Sequence, residues 1–348
     1  MERQLVTERV IRELVPIEGA DKIELAKLDG WQCVVKKGQF SAGEKALYAE
    51  IDSIFPSDDE RFAFLEPRKY RVKSMKLRGA LSQGLLTPVS ALTNEERMRI
   101  FDGESPTDVL RVTKFEPPVP MGGSQKGTFP THLVPKTDQE RIQNVPDVLK
   151  DKLNSMFEIT EKLDGTSCTI WYQNKEGVIT PQDGAQTNLE RNPYVGVASR
   201  NWEMDREEGG VYSRVLHDTG LVDKLAKLGR NIAIQGEIIG PGIQKNQYKL
   251  EKPTLYVFDI YDIDAQKSLA PKERRELTKE LDLNHAPVVY WSGLSQGEHM
   301  SLTLENVLAE AEGKSVLNDS QREGIVFKSL DGSLSFKAIS NKWLLKNE

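Results

Sequence analysis

The chain has 348 residues, 38% hydrophobic and 29% charged, a globular composition long enough for two domains of ordinary size. Its formal net charge of −6 argues against a nonspecific polyanion binder, and no apolar run approaches membrane-spanning length. The first residues lack the pattern of a signal peptide, and Cys33 and Cys168 lie far apart with no Cys or His partner at metal-ligand spacing, which excludes a disulfide framework and a zinc site and points to the cytoplasm.

Up to about Phe115 the sequence predicts short alternating strands. Trp31–Val35 and Lys45–Ile51 are two of them, separated by turn residues around Gly38 and Gly43. Gly79 and Gly84 divide the next pair, around Leu77 and Leu85. This spacing predicts a small β-barrel of the OB type over residues 1–115. A helix is expected over Asn94–Phe101, with Thr93 as N-cap and Glu96 completing a capping box. Arg68, Lys69, Arg71, Lys73, Lys76 and Arg78 form a local basic cluster with Tyr70 among them. Such a cluster suits a nucleic-acid face and equally suits a solvated strand edge guarded by charge.

Residues 116–130 are rich in Pro, Gly and polar side chains and read as a linker. Residues 131–348 then mix strands and helices. Strands are expected at Ser167–Tyr172, Ile232–Ile239, Thr254–Tyr261, Gly324–Ser329 and Leu334–Ala338. Helices are expected at Asp138–Leu153, Tyr212–Leu228, Pro271–Leu281 and Leu304–Glu312, with Pro271 at an N1 position and Gly313 as a stop. The predicted class is α+β with antiparallel sheets flanked by helices.

The most informative stretch is Lys162-Leu163-Asp164-Gly165-Thr166-Ser167, a turn leading into the apolar run Cys168–Tyr172. It can place an amine at the mouth of a pocket with a carboxylate beside it, as a covalent lysine nucleophile needs. A free lysine, with a pKa of about 10.4, is protonated at neutral pH. Burial and nearby cations would lower that value and free the amine for attack. Taken alone, Lys-x-Asp-Gly is more often a surface turn. Downstream come Ser199-Arg200-Asn201, Glu237 within Ile232–Gly240, Phe258-Asp259-Ile260 within a strand, Glu323-Gly324-Ile325-Val326-Phe327-Lys328, and Phe336-Lys337. Singly, each is an ordinary edge acid, turn or solvent-facing lysine. Together, in one order after the first motif, they form a set that chance rarely gives.

This ordered set resembles motifs I, Ia, III, IIIa, IV and V of the covalent nucleotidyltransferases. Within these it is most similar to ATP-dependent RNA ligases carrying an OB domain ahead of the nucleotidyltransferase domain. The Glu323–Lys328 segment, the Pro135–Asn144 segment and the N-terminal stretches around Gly30-Trp31, Asp52–Pro56 and Leu81–Leu86 favour that branch. DNA ligases and capping enzymes usually place the OB domain last, and Lys337 is expected to lie too near the end for one to follow.

The resemblance implies three steps. Lys162 takes AMP from ATP and releases pyrophosphate, AMP passes to an RNA 5′-phosphate, and a 3′-OH displaces AMP to join the ends. It implies that Lys162 is the nucleophile and that Asp164 and Glu323 orient hydrated Mg²⁺ or Mn²⁺. Glu237 is expected at a ribose hydroxyl with a possible metal role, Arg200 at the ribose or reacting ends, Phe258 stacked on adenine and Lys337 on the α-phosphate. Lys328 and Arg141 are lesser candidates for phosphate contact. Related ligases often carry Lys-x-Lys in motif V, whereas here Ala338 and Ile339 follow Lys337, with Lys342 the next lysine along. The implied partners are RNA ends, in a nicked RNA duplex or an RNA/DNA hybrid, handled by a monomer without a membrane. The competing readings are a DNA or general nick ligase, which the domain order opposes, and a noncatalytic nucleic-acid-binding protein, which the intact Lys162, Asp164, Glu237 and Glu323 oppose.

Overall fold

In the computed structural model the described residues are 4–116, 124–151, 156–174, 194–291 and 303–347. They form two compact units, residues 1–119 with 341–348, and residues 120–340.

In the first unit Lys45–Ala49 is the centre of an antiparallel sheet with Val6–Val10 and Leu85–Pro88. Its side chains alternate between two cores, as strand geometry requires. Leu47 and Ala49 join Val6, Phe55, Phe62 and Leu65, while Ala46 and Tyr48 join Trp31, Cys33, Val35 and Leu86. A second sheet of Glu13–Pro16, Ile23–Lys27 and Gln32–Lys36, with the hairpin Met75–Leu77/Ala80–Ser82, supplies the remaining strands of this unit used below. Gly84 is required by packing, since a Cβ there would lie 2.5 Å from the Tyr48 ring. The helix Asn94–Phe101 forms with the expected capping box. The Glu96 amide donates to the Thr93 hydroxyl at 3.1 Å, and the Thr93 amide donates to the Glu96 carboxylate at 2.7 Å. The helix Asn341–Asn347 groups with this unit and not with the residues that precede it in sequence.

The second unit is built on two sheets. The larger runs Gln125–Thr128, Trp202–Met204, Tyr194–Ala198, Thr166–Gln173, Ile232–Ile239, Thr254–Asp262 and Lys267–Ser268, with Asn284–His285 parallel to Thr254–Asp262. The smaller runs Glu140–Arg141, Ser335–Ile339, Gly324–Ser329, Phe157–Lys162 and Val288–Trp291. Lys162 ends a strand of the smaller sheet and Thr166 begins a strand of the larger. The motif Lys162–Thr166 is therefore the crossover between the sheets.

Three expectations are corrected. Asp138–Leu153 is not one helix. Glu140–Arg141 pairs as a strand with Phe336–Lys337, a 3₁₀ turn spans Ile142–Asn144, and Val148–Asp151 is a short helix after Pro146. Proline lacks the amide that a helix interior needs. Tyr212–Leu228 is two helices, Val211–Asp218 and Leu221–Leu228, divided at Gly220, whose φ of 61° is left-handed. Part of the expected linker is a strand, Gln125–Thr128, which completes an edge of the larger sheet; residues 117–123 lie outside the described set.

Candidate active site

Lys162 lies opposite Gly324 in the antiparallel pair of the smaller sheet, which brings it beside Glu323 at the entry of the adjoining strand. Its Nζ is 2.7 Å from Glu323 Oε1, and the two side chains are 28% and 13% exposed. No side chain fits at Gly324, where a Cβ would stand 2.2 Å from the Ala338 carbonyl. Gly165 is similarly confined: its Cβ would fall 2.3 Å from the Ile238 carbonyl and 3.0 Å from Glu237 Cγ. Both motif glycines thus let two strands close on the lysine. Glu237 reaches the same place from the larger sheet, opposite Ser167.

The turn is braced by residues that the sequence analysis did not single out. The Asp164 amide donates to Tyr248 Oη at 2.8 Å, and Gln244 Nε2 donates to the Gly165 carbonyl at 3.0 Å. Both come from the stretch between Ile239 and Thr254, which has no period of 2 or 3.6 to mark it. Thr166 and Tyr212 hydroxyls also hydrogen-bond, at 2.8 Å.

Electrostatics couple these groups. Burial pushes the Lys162 amine toward lower pKa, but the Glu323, Glu237 and Asp164 carboxylates outweigh it, and the net shift is upward. In the ligand-free protein, without the metal-bound nucleotide expected to lower its pKa, the lysine is therefore held as an ammonium. Burial raises Asp164 to about 6, with Glu323 adding to the rise, and raises Glu237 to about 7 against the pull of Lys162. Lys337 is pushed down to about 8 by burial and by the neighbouring cations Lys162 and Arg141.

A cavity of about 260 Å³ opens over the lysine. Of the candidate residues, Lys162, Arg200, Glu237, Phe258, Lys328 and Lys337 line it, while Asp164 and Glu323 act on Lys162 from beside it. Phe258 sits at a β-bulge. Gln235 pairs with Asp259 and Gly236 with Val257, leaving Phe258 as the extra residue. A bulge re-aims a side chain that strict alternation would send elsewhere. Behind the ring, Lys328 Nζ donates to Asp259 Oδ2 at 2.8 Å and to the Phe258 carbonyl at 2.7 Å. The Lys328 amine is thus engaged by the strand that carries the aromatic.

Arg141 does not line the cavity, but it lies beside Lys337 in the parallel pair of the smaller sheet. Arg200 is ion-paired with Asp138, and Lys136 Nζ donates to Asn201 Oδ1 at 2.9 Å. Lys136 also lines the cavity and was not among the candidates. The site can therefore grip a flat ring at Phe258 and place anionic groups among Lys136, Lys162, Arg200 and Lys337. Among the described residues no three acidic, His or Cys side chains converge as a ready-made metal cage. The raised carboxylates would nonetheless gain from a cation, in the manner of a hydrated ion held partly by ligand oxygens.

Comparison with known proteins agrees with this geometry. An RNA ligase family model matches residues 155–344, and an OB-fold domain model matches residues 5–89. The chain is similar to solved structures of Naegleria gruberi RNA ligase. A mutant with AMP and Mn is 37% identical, with a TM-score of 0.77 and 99% of each chain covered. A mutant with ATP and Mn gives the same figures. The ligase with PPi is 37% identical, with a TM-score of 0.76, covering 99% of this chain and 98% of that one. No curated protein sequence matches the chain. A family model spanning more than half of the residues, with a solved relative 37% identical over 99% of the chain, places this chain in the RNA ligase family.

Proposed function

We infer that this protein joins RNA 3′-OH and 5′-phosphate ends with ATP, through an AMP carried on Lys162. The observation that carries the reading is the Lys162–Glu323 pair at 2.7 Å, set at a cavity with an aromatic wall and flanking cations.

In the first step Lys162 Nζ attacks the α-phosphorus of ATP. A P–N bond forms, the P–O bond to pyrophosphate breaks, and the ammonium gives up two of its three protons, one to solvent. Glu323 Oε1 is the oxygen placed to accept the other. The ligand-free site favours the ammonium, so substrate binding must reverse that preference. A bound divalent ion would supply the reversal by neutralising carboxylates and phosphate charge. Asp164, Glu237 and Glu323 are the residues that would hold it, and their mutual repulsion is what makes them suited to it. Phe258 stacks on adenine, offering a flat apolar surface. Lys337 meets the α-phosphate, with Arg141 beside it for the departing pyrophosphate, since guanidinium can hold phosphate bidentately. Arg200 turns from Asp138 to the ribose or the reacting ends. Lys328 supports Phe258 from behind.

AMP then passes to the RNA 5′-phosphate, forming a P–O–P bond as the P–N bond breaks. Attack by the 3′-OH forms the phosphodiester and releases AMP. The proposed substrate is a nicked RNA duplex or RNA/DNA hybrid, handled by a monomer, with residues 1–115 as the platform for the duplex. Two buried free thiols, Cys33 and Cys168, suit the cytoplasm.

The test is α-labelled ATP with Mn²⁺. Label should become covalently attached to wild type and not to Lys162→Ala, and wild type alone should seal a nick bearing an RNA 3′-OH. Absence of a Lys162-dependent adenylate overturns the reading.

A further inference from the structure

The first unit carries a positive surface made from opposite ends of the sequence. Between Glu66 and Glu95 the chain has no acidic residue and six cations, although its net charge is −6. Three of these, Lys73, Lys76 and Arg78, are exposed on or beside the hairpin Met75–Leu77/Ala80–Ser82. Arg78 and Gly79 are the two loop residues, and both have positive φ, 48° and 84°. This is the geometry of a tight two-residue hairpin turn, and it sets a guanidinium at the tip, in a conformation that non-glycine residues rarely adopt.

The hairpin is fixed rather than loose. Gln32 Nε2 donates to the Leu81 carbonyl at 2.8 Å, and the Val34 amide donates to Ser82 Oγ at 3.0 Å. Against it packs the helix Asn341–Asn347. Leu344 is buried, and Gln83 Nε2 donates to Asn341 Oδ1 at 2.9 Å. Lys342 and Lys346 stand four residues apart and exposed, hence on one face of that helix. No acidic residue lies between Asp331 and Asn347.

We propose that the hairpin and the C-terminal helix together form a single phosphate-binding surface that grips the RNA backbone. This rests on the reading that the substrate is RNA and adds where the strand is held. Five exposed cations on a rigid support match a regularly charged polyanion. Contacts of this kind position a nucleic acid without reading its sequence. A segment that follows the last catalytic motif thus returns to the first unit, where it packs on the strand Ala80–Ser82 and accepts a hydrogen bond from Gln83.

The experiment compares wild type, Lys76→Glu, Lys346→Glu and the double variant. It measures equilibrium binding to a nicked RNA duplex over a range of KCl, and separately the lysine adenylate formed with ATP and Mn²⁺. The adenylate should be unchanged in all four. Affinity for the duplex should fall about tenfold or more in the double variant, and the slope of log affinity against log salt should shrink by about two, one per lost phosphate contact. Both single variants should contribute, although they lie in segments far apart in sequence. Unchanged affinity and slope in Lys346→Glu overturns the composite surface while leaving the ligase reading intact. That is also the result expected if the patch serves an acidic protein. Failure of wild type itself to form adenylate would instead overturn the ligase reading, whatever the binding shows.

Discussion

Lys162 and Glu323 face each other at 2.7 Å across two neighbouring strands, and the carboxylate helps to keep the amine charged until substrate arrives. Two effects of Glu323→Gln should therefore run in opposite directions. The lysine pKa should fall, so acylation of Lys162 by a small amine-reactive reagent should speed up. Adenylylation from ATP should slow by about 10²-fold, the scale of losing one preorganised electrostatic partner. Mass-spectrometric reagent labelling alongside adenylate formation separates the two. Parallel loss in both assays would contradict the assignment.

Asp164 at about 6 and Glu237 at about 7 have pKa values raised above the ordinary carboxylate range. A raised carboxyl contributes stability that is present below its unfolded pKa and lost as pH rises through the folded value. The ligand-free protein should thus lose stability between about pH 4 and pH 7 through these groups. Glu237→Gln should flatten that loss, by a contribution on the order of 3 kcal/mol. Mn²⁺ should raise Tm more at about pH 8, where the carboxylates are ionised, than at about pH 5. Thermal melts across pH with and without Mn²⁺ check both signs.

Lys337, pushed down to about 8, should lose part of its charge in the free enzyme just above neutrality. KM for ATP in adenylylation should rise as pH passes through about 8, and Lys337→Arg should remove that rise because guanidinium stays charged. Lys337→Ala should cost about 10²–10³-fold in rate at neutral pH. A KM that is flat with pH in wild type would speak against phosphate contact by this amine.

Phe258 owes its direction to the bulge between Val257 and Asp259. Phe258→Ala should raise KM for ATP about 10- to 100-fold, from stacking worth about 1–3 kcal/mol, while Phe258→Trp should keep most of the affinity. Deleting Phe258 outright should also abolish the stacking but keep the strand register, because Val257 and Asp259 already pair with the neighbouring residues Gly236 and Gln235 and only the bulge is lost. Urea unfolding and ATP titration of the two variants make the comparison.

Lys328 is buried against Asp259. Lys328→Met should leave that carboxylate unpaired and destabilise the fold by about 3–5 kcal/mol. Lys328→Met with Asp259→Leu should recover much of the loss. Urea midpoints for the three proteins test this. A stable single variant with a raised KM for ATP would instead make Lys328 a direct ligand of the nucleotide.

Much of the architecture was legible because its signals are local. The strands Ile232–Ile239, Thr254–Asp262 and Gly324–Ser329 follow their apolar runs, and the Asn94–Phe101 helix follows a capping box that needs only four residues to specify. The segment Asp138–Leu153 misled because its apolar residues recur at helical spacing, while pairing of Glu140–Arg141 with Phe336–Lys337 and the proline at 146 decided otherwise.

What the sequence determined by itself was the set of chemical groups: a lysine two residues ahead of Asp-Gly, the acids Glu237 and Glu323, the aromatic Phe258 and the late Lys337, in an order with few explanations. Tertiary structure alone decided their state and company. The lysine is an ammonium because the carboxylates of Glu323, Glu237 and Asp164, brought from three segments of the chain, outweigh its burial. Tyr248 and Gln244 matter because they brace the turn from about 80 residues away. The last helix joins the first unit because it packs on the strand Ala80–Ser82 and Asn341 accepts a hydrogen bond from Gln83. Local pattern specifies which groups exist, but distance and burial set their charge and partners, and those emerge only when remote segments are brought together.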